Sequence, residues 1–517
     1  MIGGPDDADG SSPRRPRWLR AAAWAALVVA AVAIRLPHLT ESLWYDEVWR
    51  TRVVLRPGNL ESLLLHDVHN PLYNAFMYAW ISVIGDSEFS IRLPSLLFGL
   101  ASITVLYRWM HARFGPGPAR LAAALLLVSP VHAWYSCEAK NNMLVMLLGI
   151  LAVVQTDALL TKGRWTDAFG AAIWSALGLL TSWQAGLVVI PAWIGGAVAL
   201  LSADRSTPQS RAAAARRLKL LGGSILIALV MLSPLLIFKA EHVDELSRWY
   251  LAAPDLARIA ELLFIWYPTG NALVLIRAAK WLLWIGIYGA VVGPALVLGC
   301  LALRRSATGR LVLACLWTPI VGLLLAWAAY AAAGETGPHV YQDRNMLVVF
   351  PWFICAIALG ATQAGVLRPL LAGVLVALGL ASSLAAVTWR ADKSTVMNPN
   401  PDWRSAAAFI RESASTGDPP IIASCCPLLP LEYYSTPGKL VELNWQHDTF
   451  RDVQNLRRQR PGAPVFFINN PFWFGYPPHA IHLLEAGLGH PTRSDFLGLQ
   501  VYRFAPLNAA HQGPLER

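Results

Sequence analysis

Charge is what this sequence has least of. Asp, Glu, Lys and Arg together make up 14% of its 517 residues, against 55% hydrophobic. A soluble domain carries about a quarter charged residues, so a water-soluble globular protein is excluded. Several motif classes are missing too. The six cysteines show no zinc-ligand spacing. Cys300, Cys315 and Cys355 fall inside apolar runs, where a small buried thiol is an ordinary core residue. Cys137 lies at a helix end, and Cys425 and Cys426 are adjacent, a spacing that seldom pairs. The chain has no internal repeat, and its C-terminal part has no GxGxxG or P-loop to support nucleotide binding.

What the chain does have is long apolar runs, with a mean hydropathy of +0.44. They fall near 20–37, 93–110, 119–135, 143–161, 166–183, 185–203, 220–238, 281–303, 311–333, 346–365 and 368–388. Crossing ~30 Å of hydrocarbon takes ~20 mostly apolar residues, in helices that satisfy their own backbone. The net charge of +10 does not indicate nucleic acid here, because the basic residues cluster between the runs. The clusters are Arg108/Arg113/Arg120, Lys162/Arg164, Arg205 to Lys219, Arg304/Arg305/Arg310 and Arg368. With a cytoplasmic N-terminus and strict alternation, every cluster falls on the cytoplasmic side.

The expected architecture is an α-helical polytopic membrane protein of about eleven transmembrane helices. A cytoplasmic tail covers 1–19 and the transmembrane domain 20–388, with a first outer loop at 38–92. An extracytoplasmic α/β domain covers 389–517. Arg14, Arg15, Arg17 and Arg20 precede the first run, which reads as an uncleaved signal anchor. In the tail, Asp402 is placed to cap a helix over 403–415. Strands are expected at 421–424, 439–443, 465–468 and 499–504, with helices at 448–459 and 478–487. The outer loop at 239–280, with Glu241, Asp244, Glu245, Trp249 and Tyr250, reads as an amphipathic surface helix. The apolar segment Pro71 to Ile84 is only ~21 Å long as a helix, too short to span, and reads as a helix lying in the interface.

Polar residues concentrate in the first outer loop, in WYDEVWR (44–50) and LHDVHNPLY (65–73). Loop composition alone fits a solvated loop with interfacial Trp anchors, or a carboxylate site facing a lipid-borne substrate. The order of motifs adds more. An acidic pair follows the first helix; then come an H-x-P-L-Y box, GDSEFSIRLPS (85–95), WYSCEAK (134–140) and YQDRNMLVVFP (341–351). This series resembles the GT-C glycosyltransferases, among them bacterial proteins akin to protein O-mannosyltransferases and the lipid A aminoarabinose transferase. The resemblance covers residues 20–160 and is looser beyond.

The resemblance implies inverting transfer of a sugar from a polyprenyl-phosphate donor to a lipid, glycan or protein acceptor. The place would be the outer face of a bacterial cell membrane, with membrane lipids as surroundings and no nucleic acid. Asp46 matches the family's catalytic acidic residue and is the expected base. Glu47 is either a loop charge or a support of Asp46 or the acceptor. Arg92 and Arg344 match cations that hold the donor phosphate, although an Arg at a helix end also snorkels. Lys140 stands where relatives often carry Arg, keeping the charge without the fork. His69 and Asn70, the latter where relatives often have Pro, would hold the loop or the acceptor, and Glu138 would orient Lys140 or Arg92. No cofactor is expected. A divalent cation held by His66, Asp67, His69 and the acidic pair is the lesser alternative. Two other classes remain, a transporter or flippase of lipid-linked sugars and a non-enzymatic envelope-assembly scaffold.

Overall fold

The computed structural model describes residues 17–51, 71–203, 206–240, 255–270, 281–332, 343–388, 401–414, 419–424, 428–434, 439–442, 448–470 and 479–506. Outside them lie His66, Asp67, His69, Asn70, Cys425 and Cys426. The surface helix expected around Glu241, Asp244, Glu245, Trp249 and Tyr250 lies outside them too.

The expected apolar runs are largely helical, most of them within one helix. Among the described residues, six helices are long and apolar enough to cross a membrane: Glu88–Phe114, Asn142–Lys162, Trp183–Leu201, Pro208–Ile237, Ala307–Ala332 and Gly365–Ala385. Trp24–Leu39, Pro116–Val128, Tyr288–Leu303 and Phe350–Gln363 are apolar but shorter. The chain is therefore a polytopic helical membrane protein. The run 119–135 is not one helix. It breaks at Ser129, which is extended before Pro130 as the residue before proline prefers, and whose Oγ accepts the His132 N–H at 3.1 Å to start the helix Pro130–Ser136.

Packing between these helices uses small residues. A Cβ on Gly360 would lie 1.8 Å from the Ala295 carbonyl oxygen, and one on Gly299 1.8 Å from that of Ala356. The helices Trp281–Leu303 and Phe350–Gln363 thus touch backbone to backbone. Asp157, fully buried, ties three further helices together. Its Oδ2 accepts from Trp109 Nε1 at 3.0 Å and Arg113 Nε at 2.5 Å, and its Oδ1 from Thr308 Oγ1 at 2.6 Å. That satisfies a carboxylate which would otherwise be costly to bury.

The C-terminal part builds a five-stranded sheet from β1 Ile421–Ser424, β2 Lys439–Glu442, β3 Val465–Asn469, β4 Thr492–Phe496 and β5 Leu499–Phe504, in the order β2-β1-β3-β5-β4. β1 pairs parallel with β2 and β3, whereas β5 runs antiparallel to β3 and β4. Every residue of β1 and of β3 is buried, as a parallel strand covered on both faces requires. Asp402 caps the helix Trp403–Ser413 by accepting the Ser405 N–H. Two elements were not foreseen, the edge strand β4 and a short helix, Leu429–Tyr433. That helix packs against the segment after the first membrane helix.

Candidate active site

WYDEVWR is not irregular loop, because Tyr45–Trp49 form a short helix. Consecutive helical residues project about 100° apart, so the two adjacent carboxylates separate. Glu47 turns inward, fully buried, while the Asp46 side chain stays 31% exposed.

Glu47 meets Arg92 in a bidentate pair, Nε to Oε1 at 2.9 Å and Nη2 to Oε2 at 2.6 Å. It also accepts the Ala139 N–H at 2.8 Å and the Trp44 N–H at 3.3 Å. Arg92 Nη1 donates to the carbonyls of His38 and Glu41, at 3.1 and 2.6 Å, and Nη2 to that of Ser42 at 3.1 Å. A guanidinium has five N–H donors, and all five are taken. Arg92, expected to hold a donor phosphate, is wholly buried here with its N–H donors engaged inside the protein. The helix begins at Glu88, so Arg92 sits in its second turn, among the ends of other elements, rather than at an exposed terminus. Both Glu47 oxygens are likewise engaged within the protein.

Asp46 faces a different set. Lys140 Nζ lies 2.5 Å from its Oδ2, and Arg344 Nη1 lies 3.6 Å from the same oxygen. Lys140 comes from the turn between the helices Pro130–Ser136 and Asn142–Lys162. It also reaches Glu138 Oε1 at 3.7 Å and sits 4.1 Å from the Trp44 ring centroid, a cation–π distance. Asn142 Nδ2 donates to Glu138 Oε2 at 3.1 Å. Arg344 is carried by the tight turn Asp343–Val348, which Asn345 anchors by accepting from Gln184 Nε2 at 2.7 Å. The structure thus brings Asp46, Glu138, Lys140 and Arg344 together, while Glu47 and Arg92 lie behind them.

Burial alone would raise the Asp46 carboxyl. Lys140, by charge and hydrogen bond, and then Arg344 and Arg50 outweigh that and hold it below its ordinary value. Burial lowers the Lys140 ammonium against the pull of Asp46, and burial raises the Glu138 carboxyl against that of Lys140. The site is therefore an ionised, partly exposed carboxylate beside two cations. Three contributors were missed in the sequence. Arg50 lies one helical turn after Asp46, donates to Asn74 and stacks 5.1 Å from the Tyr73 ring centroid; the i,i+4 spacing from Asp46 carries that signal once the segment is read as helix. Trp44 and Asn142 have no such signal. Among the described residues, no three His, Cys, Asp or Glu side chains converge as a metal site.

A partly open apolar pocket lies between the helices, lined by Leu125, Tyr267, Tyr288, Phe350, Phe353 and Ile357 among others. Tyr267, at its edge, donates to the carbonyl of Met346 at 2.8 Å, two residues from Arg344.

Residues 68–238 match the family described as dolichyl-phosphate-mannose-protein mannosyltransferase. The Bacillus subtilis (strain 168) protein named "Putative mannosyltransferase YycA" is 28% identical over 195 residues, 36% of this chain. That match spans only 26% of the relative's own length. The crystal structure of ArnT from Cupriavidus metallidurans in the apo state superposes with a TM-score of 0.55 at 15% identity, covering 96% of this chain and 100% of that one. The same protein bound to undecaprenyl phosphate gives a TM-score of 0.50 with the same identity and coverage. The chain thus has the fold of these polytopic membrane proteins, and its segment 68–238 resembles the mannosyltransferase family.

Proposed function

We propose that this protein is a glycosyltransferase that moves a sugar from a polyprenyl-phosphate donor to an acceptor hydroxyl or amine. The reading places the reaction at the extracytoplasmic face of a bacterial cell membrane, with inversion at the anomeric carbon. The observation that carries it is the partly exposed carboxylate of Asp46 flanked by Lys140 and Arg344. In such a transfer the acceptor oxygen or nitrogen bonds to the anomeric carbon and loses a proton, while the anomeric carbon–phosphate-oxygen bond breaks. Asp46 takes the proton. Because its basicity is held down, much of its work is to orient the acceptor and to balance the positive charge that develops on the sugar. Lys140 and Arg344 stabilise the departing phosphate, the role the sequence had divided between Arg344 and Arg92. These two cations supply the positive charge that a metal would otherwise bring, so no cofactor is assigned.

A lipid-borne donor is supported by the apolar pocket lined by Tyr267 and Phe350, and by the undecaprenyl phosphate bound to the ArnT of like fold. A sidedness shared by Asp46 and the C-terminal unit is supported by the packing of Leu429–Tyr433 on Tyr45–Trp49. The sugar, hexosyl or pentosyl, and the acceptor, on lipid, glycan or protein, are matters of pocket shape.

The test is to supply purified protein in nanodiscs with polyprenyl-phosphate sugars and to follow release of polyprenyl phosphate. Consumption of donor that depends on Asp46 supports the reading. Movement of intact donor across liposomes without consumption would make the protein a transporter instead.

A further inference from the structure

The C-terminal unit reaches the segments around the candidate site through several side chains, with Tyr434 among them. Tyr434 Oη accepts the Leu43 N–H at 2.8 Å and the Ser42 Oγ–H at 3.4 Å, and donates to Glu88 Oε1 at 3.0 Å. Around it, Arg404 Nη2 pairs with Glu88 Oε1 at 2.6 Å and donates to the Thr40 carbonyl at 2.7 Å, and its backbone N–H donates to Ser42 Oγ at 3.2 Å. Tyr433 Oη donates to the Asp86 carbonyl at 2.8 Å. The contacts fall on two short segments, 40–43 and 86–88. The first of these segments also holds the Glu47–Arg92 pair: Ser42 gives its carbonyl to Arg92, and Arg92 clasps Glu47. Glu47 in turn accepts the N–H of Ala139, the residue before Lys140. A contiguous set of hydrogen bonds therefore runs from Tyr434 to the backbone carrying Asp46 and to that carrying Lys140.

We infer that Tyr434 is a positioning residue, through which the C-terminal unit fixes the Asp46 helix against the Lys140 turn. The inference rests on the reading of Asp46 given above. The physical need is plain. Tyr45–Trp49 is a helix of a single turn, far too short to be stable by itself, so its orientation must be imposed by what it packs against. On one side that is Arg92 and Ala139; on the other, Leu429 and Tyr433 pack against the apolar cluster that contains Leu43 and Val48, and the Tyr434 hydroxyl accepts the Leu43 N–H. Burial raises this hydroxyl to about 12, against the hydrogen bonds from Ser42 and Leu43. It therefore keeps its proton, and its donor bond to Glu88, throughout the physiological range. The unit needs no catalytic group of its own to govern the rate.

The test is Tyr434→Phe, which keeps the ring and its packing and deletes only the hydroxyl. Two measurements are made on the full-length protein in nanodiscs: amide hydrogen exchange of peptides covering 40–50, and steady-state transfer. Exchange in 40–50 should quicken about tenfold, as for a lost hydrogen bond to a buried N–H, while β1, β3 and β5 exchange as in the wild type. The kcat should fall about tenfold with donor KM within about twofold, a split that a general loss of folded protein would not give. Glu88→Gln, which keeps an acceptor for Tyr434 but loses the charge facing Arg404, should give the same pattern more weakly. Unchanged exchange in 40–50 overturns the inference, and so does quickened exchange with unchanged kcat. If the wild type consumes no donor at all, the functional proposal fails by itself. The exchange arm then decides alone whether Tyr434 holds this helix.

Discussion

Glu47 and Arg92 close on each other so completely that neither side chain faces solvent: the carboxylate is bidentate to the guanidinium, and both are 0% exposed. A pair buried to this extent is a structural joint. Removing one partner leaves an uncompensated charge in the interior, which costs about 3–5 kcal/mol. Arg92→Ala should therefore lower the unfolding temperature of the purified protein sharply. The double variant Arg92→Met with Glu47→Gln should recover much of the loss, since no charge is stranded. Thermal melts of the two variants decide it; an Arg92→Ala protein of wild-type stability with weakened donor binding would return Arg92 to the phosphate.

Asp46→Asn keeps the shape of the side chain and removes its charge and basicity. Turnover should fall on the order of 100-fold or more. Donor affinity should be unchanged or tighter, because Lys140 and Arg344 lose a competing carboxylate at 2.5 and 3.6 Å. Single-turnover rates and donor binding on the same preparation separate the two effects. Wild-type turnover in this variant would remove Asp46 from the chemistry.

The two cations should report on the donor. Losing a charge-assisted contact costs about 1.5–3 kcal/mol, so Arg344→Ala and Lys140→Met should each weaken donor binding roughly ten- to a hundredfold. Lys140→Met should cost the more stability of the two, since its ammonium is nearly buried against Trp44, Asp46 and Glu138. Normal donor affinity in both variants would move the phosphate to another part of the protein.

The acid limb of turnover should lie below the ordinary carboxylate range near 4. Asp46 is held below its ordinary value because Lys140, Arg344 and Arg50 outweigh the upward push of burial. The sign follows for stability also. With the folded value below the unfolded one, the Asp46–Lys140 contact contributes fully above about pH 4 and is lost as pH falls through the folded value. Lys140→Met removes the largest of the opposing influences, so the limb should move up. The check is kcat against pH at saturating donor; an unmoved limb would mean that another group titrates.

Much of the frame was legible because hydropathy and charge are local signals. The apolar runs predict the membrane helices, and the parallel β1 and β3 announce themselves as short apolar blocks. The misses have equally local reasons. β4, TRSDF, lies on an exposed edge, so nothing apolar marks its period. The helix Leu429–Tyr433 reads LPLEY, and its proline looks like loop. The run 119–135 reads as continuous because its break depends on one residue before a proline.

At the site, residue types alone left a solvated loop and a carboxylate site both open near 46, and the resemblance to the GT-C glycosyltransferases is what singled out 46, 138–140 and 344. Their roles could not be divided in that way. Asp46 and Glu47 are adjacent acids, and the phase of a single helical turn sends one toward Lys140 and the other toward Arg92. Arg92 and Arg344 are both arginines next to apolar runs. The start of one helix at Glu88 buries the first among carbonyls, while the tight turn 343–348 sets the second beside Asp46. The sequence by itself determined most of the helical segments and where polar groups gather. Only tertiary structure decided which charges meet, because every deciding partner, Arg92 for Glu47, Lys140 and Arg344 for Asp46, and Tyr434 for Leu43, lies more than forty residues away along the chain.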